Sequence, residues 1–305
     1  MAVWMVRAIV GILNALPLRT RHWLIFGLLI LIAVFKRRIW TTTLTNIRHV
    51  FPKLSQAEVR HFGIQSFHSL ARFIVDSARF HTLDGAWVKE HVSCPFHQGY
   101  LDLKKKYPGK GILTASGHLG SIEIQALCAP FVGRRFSFVA RELKQPKLNA
   151  WWKKKRELHG NEVIPRKGAV RKIISNLRAG IDVAVLIDQN VRREHALFVD
   201  WFGRDAATTF AFGHAAVVTE APVVVSAISY TGGGKYTVNE AECLLQHIYS
   251  DDALSQKQKV LEVTKLISLR YQDLILKNPT EWFWMHGRWR TTPEGVPEDF
   301  YTRAK

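Results

Sequence analysis

The stretch GILTASGHLGSIEIQ, residues 111–125, carries the pattern on which the fold turns. Gly111–Ser116 is a short apolar run of strand type. It is followed by the small, flexible Ser116-Gly117, and a helical pattern begins near Ser121. The same texture recurs downstream. FSFVAR (136–141), DVAVLID (182–188) and PVVVSAISY (222–230) read as strands. Helical stretches lie near 121–129, 145–159, 168–179 and 208–220. Strands alternating with helices predict an α/β sheet with crossover helices. GGGK (232–235) reads as a hairpin turn into another strand, and 253–276 as a long helix with Asp252 as its cap. Upstream, residues 55–80 are helical, opened by a capping box of Ser55 and Glu58.

His118 sits in the strand-to-helix turn of the opening stretch, and Glu123 follows five residues later. With thirteen histidines and twenty-five acidic residues in 305, chance alone gives about one such pair. Four occur: His97/Asp102, His118/Glu123, His195/Asp200 and His247/Asp252. Spacing does not choose between them, but placement does. In open α/β sheets ligands gather beyond the carboxyl ends of strands, which favours His118. On one continuous helix, five residues turn about 500° and separate the two side chains. With His118 in the turn and Glu123 in the first helical turn, the carboxylate is expected to reach back to the ring. The other three pairs read as surface or packing histidines. There is no GxSxG elbow, P-loop or GxGxxG. A base without a protein nucleophile suits direct attack by a substrate hydroxyl.

Forty-three Lys and Arg against twenty-five Asp and Glu give a net charge of +18, which implies an anionic partner. No DNA- or RNA-binding motif accompanies the charge. Cys94, Cys128 and Cys243 are three scattered thiols without a CxxC pair, so neither a disulfide framework nor a metal site is expected. The apolar run Trp23–Phe35 ends in Lys36, Arg37 and Arg38. It is shorter than the roughly 20 residues of a bilayer span, and no small-residue cleavage site follows. We read an uncleaved anchor, either a pair of interfacial helices or a short tilted span that uses part of residues 2–18, with flanking cations at anionic headgroups; a buried core helix is the alternative reading of the run. The chain thus divides into a membrane-associated helical segment, 1–40, and one α/β domain, 41–305.

Six collinear blocks carry a resemblance. TNIRHVFPKLS (45–55), GHLGSIEI (117–124), the Arg-rich 139–174 with Arg141, Arg156 and Arg166, GIDVAVLIDQN (180–190), 198–225 and PTEWFWMHGRWRTTPEG (279–295) follow in order. Together they resemble the bacterial lipid A biosynthesis (late, or secondary) acyltransferases of the lysophospholipid-acyltransferase superfamily. Ser121 and Ile122 stand where many members have Asn-Trp, and Gly287 where Arg is common.

The resemblance implies a mixed, largely parallel sheet flanked by helices. It implies acyl transfer from a thioester, usually an acylated acyl carrier protein, to a hydroxyl of a phosphorylated membrane glycolipid, with no cofactor beyond the thioester co-substrate. His118 is then the general base, oriented by Glu123. Backbone N–H groups near Gly117–Ser121, or Arg156, hold the oxyanion. Arg141, Arg156 and Arg166 bind phosphate, and Asp188 supports the arginines, contacts substrate or caps its strand. Such an enzyme belongs on the cytoplasmic face of the inner membrane, and KKKR (153–156) is suited to docking an acidic carrier. Transfer from acyl-CoA, another lipid acceptor, and a non-catalytic lipid-binding scaffold stay open at this point. The Trp-rich C-terminal block is expected either at the membrane interface or in the core.

Overall fold

The computed structural model describes residues 2–79 and 83–302. Four helices come first: α1 (Ala2–Ala15), α2 (Leu18–Phe35), α3 (Arg37–Val50) and α4 (Gln56–Ser77). Next are α5 (Gly85–His91), β1 (Val92–Ser93), α6 (His97–Lys106), β2 (Leu113–Ser116), α7 (Ile122–Cys128), β3 (Phe136–Ala140) and α8 (Pro146–Arg156). Then follow β4 (Glu162–Pro165), α9 (Ala169–Arg178), β5 (Asp182–Leu186), β6 (Ala196–Asp200), β7 (Asp205–Thr209) and α10 (Phe210–Thr219). The chain continues through β8 (Val223–Gly232), β9 (Lys235–Cys243), α11 (Gln246–Tyr249) and α12 (Gln256–Lys277).

Seven strands form the central sheet in the order β1-β9-β8-β2-β5-β3-β4. It is parallel throughout except where β9 turns back along β8. That reversal is the hairpin at GGGK, where Gly232 pairs with Lys235. A separate two-stranded ribbon, β6-β7, stands off the sheet. The expected largely parallel α/β architecture is therefore observed.

The two faces of the sheet differ in a way the strands dictate. Leu113, Ala115, Val183, Val185, Val223 and Val225 point to one side and join the core with α9, α10 and α12. Each large aliphatic group buried there contributes roughly 1.5–3 kcal/mol. Successive side chains alternate across a strand, so Thr114, Ser116, Ala184, Val224 and Ser226 face the other way. Those groups are mostly short, and instead of a packed layer they line a cavity of about 1140 Å³.

The helix caps follow local chemistry. Ser55 and Glu58 make the reciprocal capping box in front of α4. At α12 the cap is Ser255, boxed with Gln258, and not Asp252. A serine with Gln three residues on satisfies two free N–H groups at once, so the helix starts there. Pro17 breaks the N-terminal helix in two, since it lacks an amide hydrogen and disfavours a helical residue before it. Of α2 only Ala33 is buried. Leu24, Leu28, Leu31 and Phe35 recur at helical spacing on its open side, Phe35 with 80% of its surface free. By length and composition α2 is apolar enough to cross a bilayer.

The C-terminal tryptophans are core residues: Trp282, Trp284 and Trp289 are 0–3% exposed. Asn46 of α3 donates to the Trp284 carbonyl (2.7 Å) and the His286 carbonyl (2.8 Å), clamping that segment against the helices. The first and last of the six sequence blocks thus meet in space.

Candidate functional site

Strand register assembles the site. β2 and β5 run parallel with Leu113 opposite Val183 and Ser116 opposite Leu186. Two residues beyond each strand end stand His118 and Asp188, brought level by that register. The His118 Nδ1–H donates to Asp188 Oδ1 at 3.0 Å. Asp188 Oδ2 accepts from the His118 backbone N–H at 2.7 Å and from Trp282 Nε1–H at 2.9 Å. Burial alone raises the carboxyl pKa of Asp188. The His118 charge and its side-chain and backbone hydrogen bonds, with that of Trp282, outweigh burial and hold the carboxyl at about 2. A carboxylate so fixed selects the Nδ1–H tautomer and leaves the lone pair on Nε2. Gln189 Nε2, 3.2 Å away, donates to it. His118 lines the cavity, with the ring of Phe283 inclined against it at 5.8 Å.

Two glycines make this turn possible. A Cβ at Gly117 would lie 2.6 Å from Tyr271 Oη and 2.7 Å from Asp188 Cγ. Gly120 has φ +68°, and a Cβ there would lie 1.8 Å from the Ile228 carbonyl oxygen. We predict that Gly117→Ala destabilises the protein by about 1–3 kcal/mol, the usual cost of overpacking, and dislodges the imidazole. Urea denaturation reads the first effect and turnover the second; a parental value in both would mean the turn has slack.

Glu123 does not meet the ring. It is buried on α7 and forms a two-point ion pair with Arg156 of α8, one bond running from Arg156 Nε to Glu123 Oε2 at 3.2 Å and the other from Nη2 to Oε1. The reason is the start of α7. Helical geometry from Ile122 aims Glu123 at α8, while the place beside the imidazole is filled by the carboxylate from β5. The Arg156 guanidinium also lies 5.4 Å from the Trp152 ring, among the groups that line the cavity.

Arg141 and Arg166 are exposed and also line the cavity. Several backbone N–H groups in and just after the turn are already engaged. That of His118 goes to Asp188, that of Gly120 to the Glu281 carbonyl (3.1 Å) and that of Ile122 to the Gly120 carbonyl (3.2 Å). Asp102 accepts from Gln98, and Asp200 from the Gly203 N–H, so these acids have partners other than the histidines five residues before them. Cys94 and Cys128 line the cavity as well, but burial pushes both thiols up and keeps them protonated. Neither is therefore an activated nucleophile.

Sequence reasoning named His118, Glu123, Asp188 and the three arginines as cavity or site residues but did not find Gln189 or Trp282. Gln189 directly follows Asp188 and carried a signal of its own in DQN. Trp282 reaches the site through an isolated bridge between Leu119 and itself, a contact across 163 positions without a local sequence signature.

A histidine held by a buried carboxylate and an arginine–carboxylate pair thus meet at one cavity, at the carboxyl edge of a parallel sheet. The model of the family described as bacterial lipid A biosynthesis acyltransferase matches residues 1–291, while no curated protein matches the chain. The chain therefore belongs to the bacterial lipid A biosynthesis acyltransferase family and is an acyltransferase.

Proposed function

We propose that this enzyme moves a fatty acyl group from the thioester of an acyl carrier protein to a hydroxyl of a phosphorylated lipid A precursor. The observation that carries the reading is the His118 imidazole. Its Nδ1–H is held by a buried carboxylate, and its Nε2 lone pair belongs to a ring that lines a long cavity.

In this scheme the acceptor hydroxyl displaces the Gln189 amide at Nε2. As its oxygen bonds to the thioester carbonyl carbon, its proton passes to Nε2 and the carbonyl oxygen becomes an oxyanion. Asp188 stabilises the imidazolium that forms. The Arg156 guanidinium, held by Glu123, faces the developing negative charge. Collapse breaks the C–S bond, and the imidazolium returns the proton to the leaving thiolate. The products are an ester and the free carrier thiol, so no cofactor is called for.

Arg141 and Arg166, exposed at the cavity rim, suit the phosphates of the glycolipid or of the phosphopantetheine arm. Lys154 and Lys155 of α8 offer charge to an acidic carrier. The open apolar sides of α1 and α2, with Lys36, Arg37 and Arg38 beyond, suit attachment to the cytoplasmic face of the inner membrane. Val6, Val10 and Leu13 of α1 line the cavity, which gives a lipid acceptor a short path from that surface.

Mass spectrometry of membrane glycolipids from cells with and without the gene tests the reading. A lipid A species lighter by one acyl chain in the deletion is the expected result; identical glycolipid profiles would overturn it. We also predict that Glu123→Gln, which removes the charge that holds Arg156, lowers turnover by about 10²–10³-fold, measured as ester formed per minute. A near-parental rate would take Arg156 and Glu123 out of the chemistry.

A further inference from the structure

The cavity has two unlike ends. At the carboxyl edge of the sheet stand His118, Gln189 and the Glu123–Arg156 pair. Its walls then run back along β2 and β5 past Thr114, Ala184 and Val224. At the amino edge it meets a plate of polar groups, in which Asp182 and Arg134 are buried and Tyr100 and Lys104 half-buried. Tyr100 of α6 donates its hydroxyl to Asp182 Oδ2 at 2.7 Å. Asp182 Oδ1 accepts from Lys104 Nζ at 2.9 Å and from the Ile112 N–H at 2.8 Å, which fixes the plate at the start of β2. The Arg134 guanidinium lies 4.4 Å over the Tyr100 ring and pairs with Glu240.

From Ile112 to His118 is six residues, or about 15–20 Å of nearly extended chain. With C–C bonds of about 1.5 Å in zig-zag, each methylene advances about 1.3 Å. The lumen therefore holds of the order of a dozen carbons beyond the carbonyl before meeting the plate.

We infer that the Tyr100–Asp182 plate, backed by Arg134, is the stop that sets the longest acyl chain the enzyme transfers. A methyl end advancing further must push the phenol off Asp182 and insert hydrocarbon among buried charges. Nothing on an alkyl chain replaces those bonds. Arg134 Nε and Nη2 already lack hydrogen-bond partners, so the plate has no spare acceptor with which to absorb the disturbance. Short side chains on β2 and β5 (Thr114, Ala184) leave room for the chain beside Phe136 and Phe138 of β3, and Tyr100 stands at the amino edge. Selection is then by length: one methylene too many costs about tenfold or more in transfer.

The inference rests on the acyl-thioester reading above. Its test uses full-length enzyme in detergent, a lipid A precursor as acceptor, and equimolar saturated acyl carrier protein thioesters of graded length in competition. The chain-length distribution of the ester product is read by mass spectrometry. Tyr100→Ala should shift the preferred chain longer, raising transfer of donors beyond the parental limit about tenfold relative to the parental optimum. Tyr100→Leu, which keeps apolar packing against Leu103 and Val224, should shift it the same way by less. Ala184→Leu narrows the lumen ahead of the plate and should shift the preference shorter. Parental distributions in the folded Tyr100 variants would overturn the stop while leaving the transfer reaction standing. A parent enzyme that transfers no donor of any length would overturn both.

Discussion

His118→Ala is expected to leave a folded protein whose acyl transfer is about 10²–10⁴-fold slower, the range a positioned general base supplies. Folding should survive because Asp188 keeps two of its three donors, the residue 118 backbone N–H and the Trp282 indole N–H. Loss of the third costs about 1–3 kcal/mol, small enough for a domain with this core to bear. Circular dichroism establishes that the variant is folded, and mass spectrometry of the ester product gives the rate. Transfer at the parental rate by a folded His118→Ala protein would remove the imidazole from the mechanism.

Asp188→Asn should be nearly as damaging, by a different route. Three donors converge on this carboxylate: the His118 Nδ1–H, the His118 N–H and the Trp282 Nε1–H. An amide offers one oxygen and one NH₂, so at least one donor faces another donor. The relief available is for the amide to donate to Nδ1. That moves the ring proton to Nε2 and leaves no lone pair for the acceptor hydroxyl. A wrong-tautomer fault of this kind costs about 10³–10⁴-fold in turnover, with little change in substrate affinity. Nitrogen-15 NMR of the imidazole distinguishes this from simple damage, because the variant should carry its proton on Nε2 at neutral pH. An unchanged tautomer would sink the explanation even if the rate fell.

The same carboxylate has a consequence for acid stability. Its pKa in the folded state, about 2, lies below the unfolded value of about 3.9. Its contribution is therefore in place above the unfolded value and is lost as pH falls through the folded one. Acidification to pH 5 leaves it intact.

The sheet was legible because apolar runs of strand length alternate with amphipathic stretches, and that pattern is set residue by residue. β1, β4 and the β6-β7 ribbon were not. Glu162–Pro165 is four residues long, and Ala196–Thr209 mixes aromatic, small and charged groups without clean alternation. His118 was also legible, from its position between a strand end and a helix start.

Its partner was not, and the reason is physical. Distance along the chain pointed to Glu123, five residues away. The partner that meets the ring lies seventy positions downstream, delivered by a parallel pairing that no local pattern specifies. Asp188 was recognisable as a strand-end acid in DVAVLID, but not as the group on His118 Nδ1. Glu123 keeps a place in the site through Arg156. Its direction follows from where α7 begins, and a shift of one residue at that start would have turned it elsewhere.

The helix α1 has one further bearing, on how this enzyme can be handled in the laboratory. Removing an N-terminal apolar segment is a common way to make a membrane-associated enzyme soluble. Here Val6, Val10 and Leu13, with Ile25 of α2, are part of the cavity wall. A shortened protein beginning at Lys36 would have an unwalled lumen open to water, and its apolar lining would be newly wetted. Weak activity in such a preparation would reflect a breached container, and adding vesicles would not restore it.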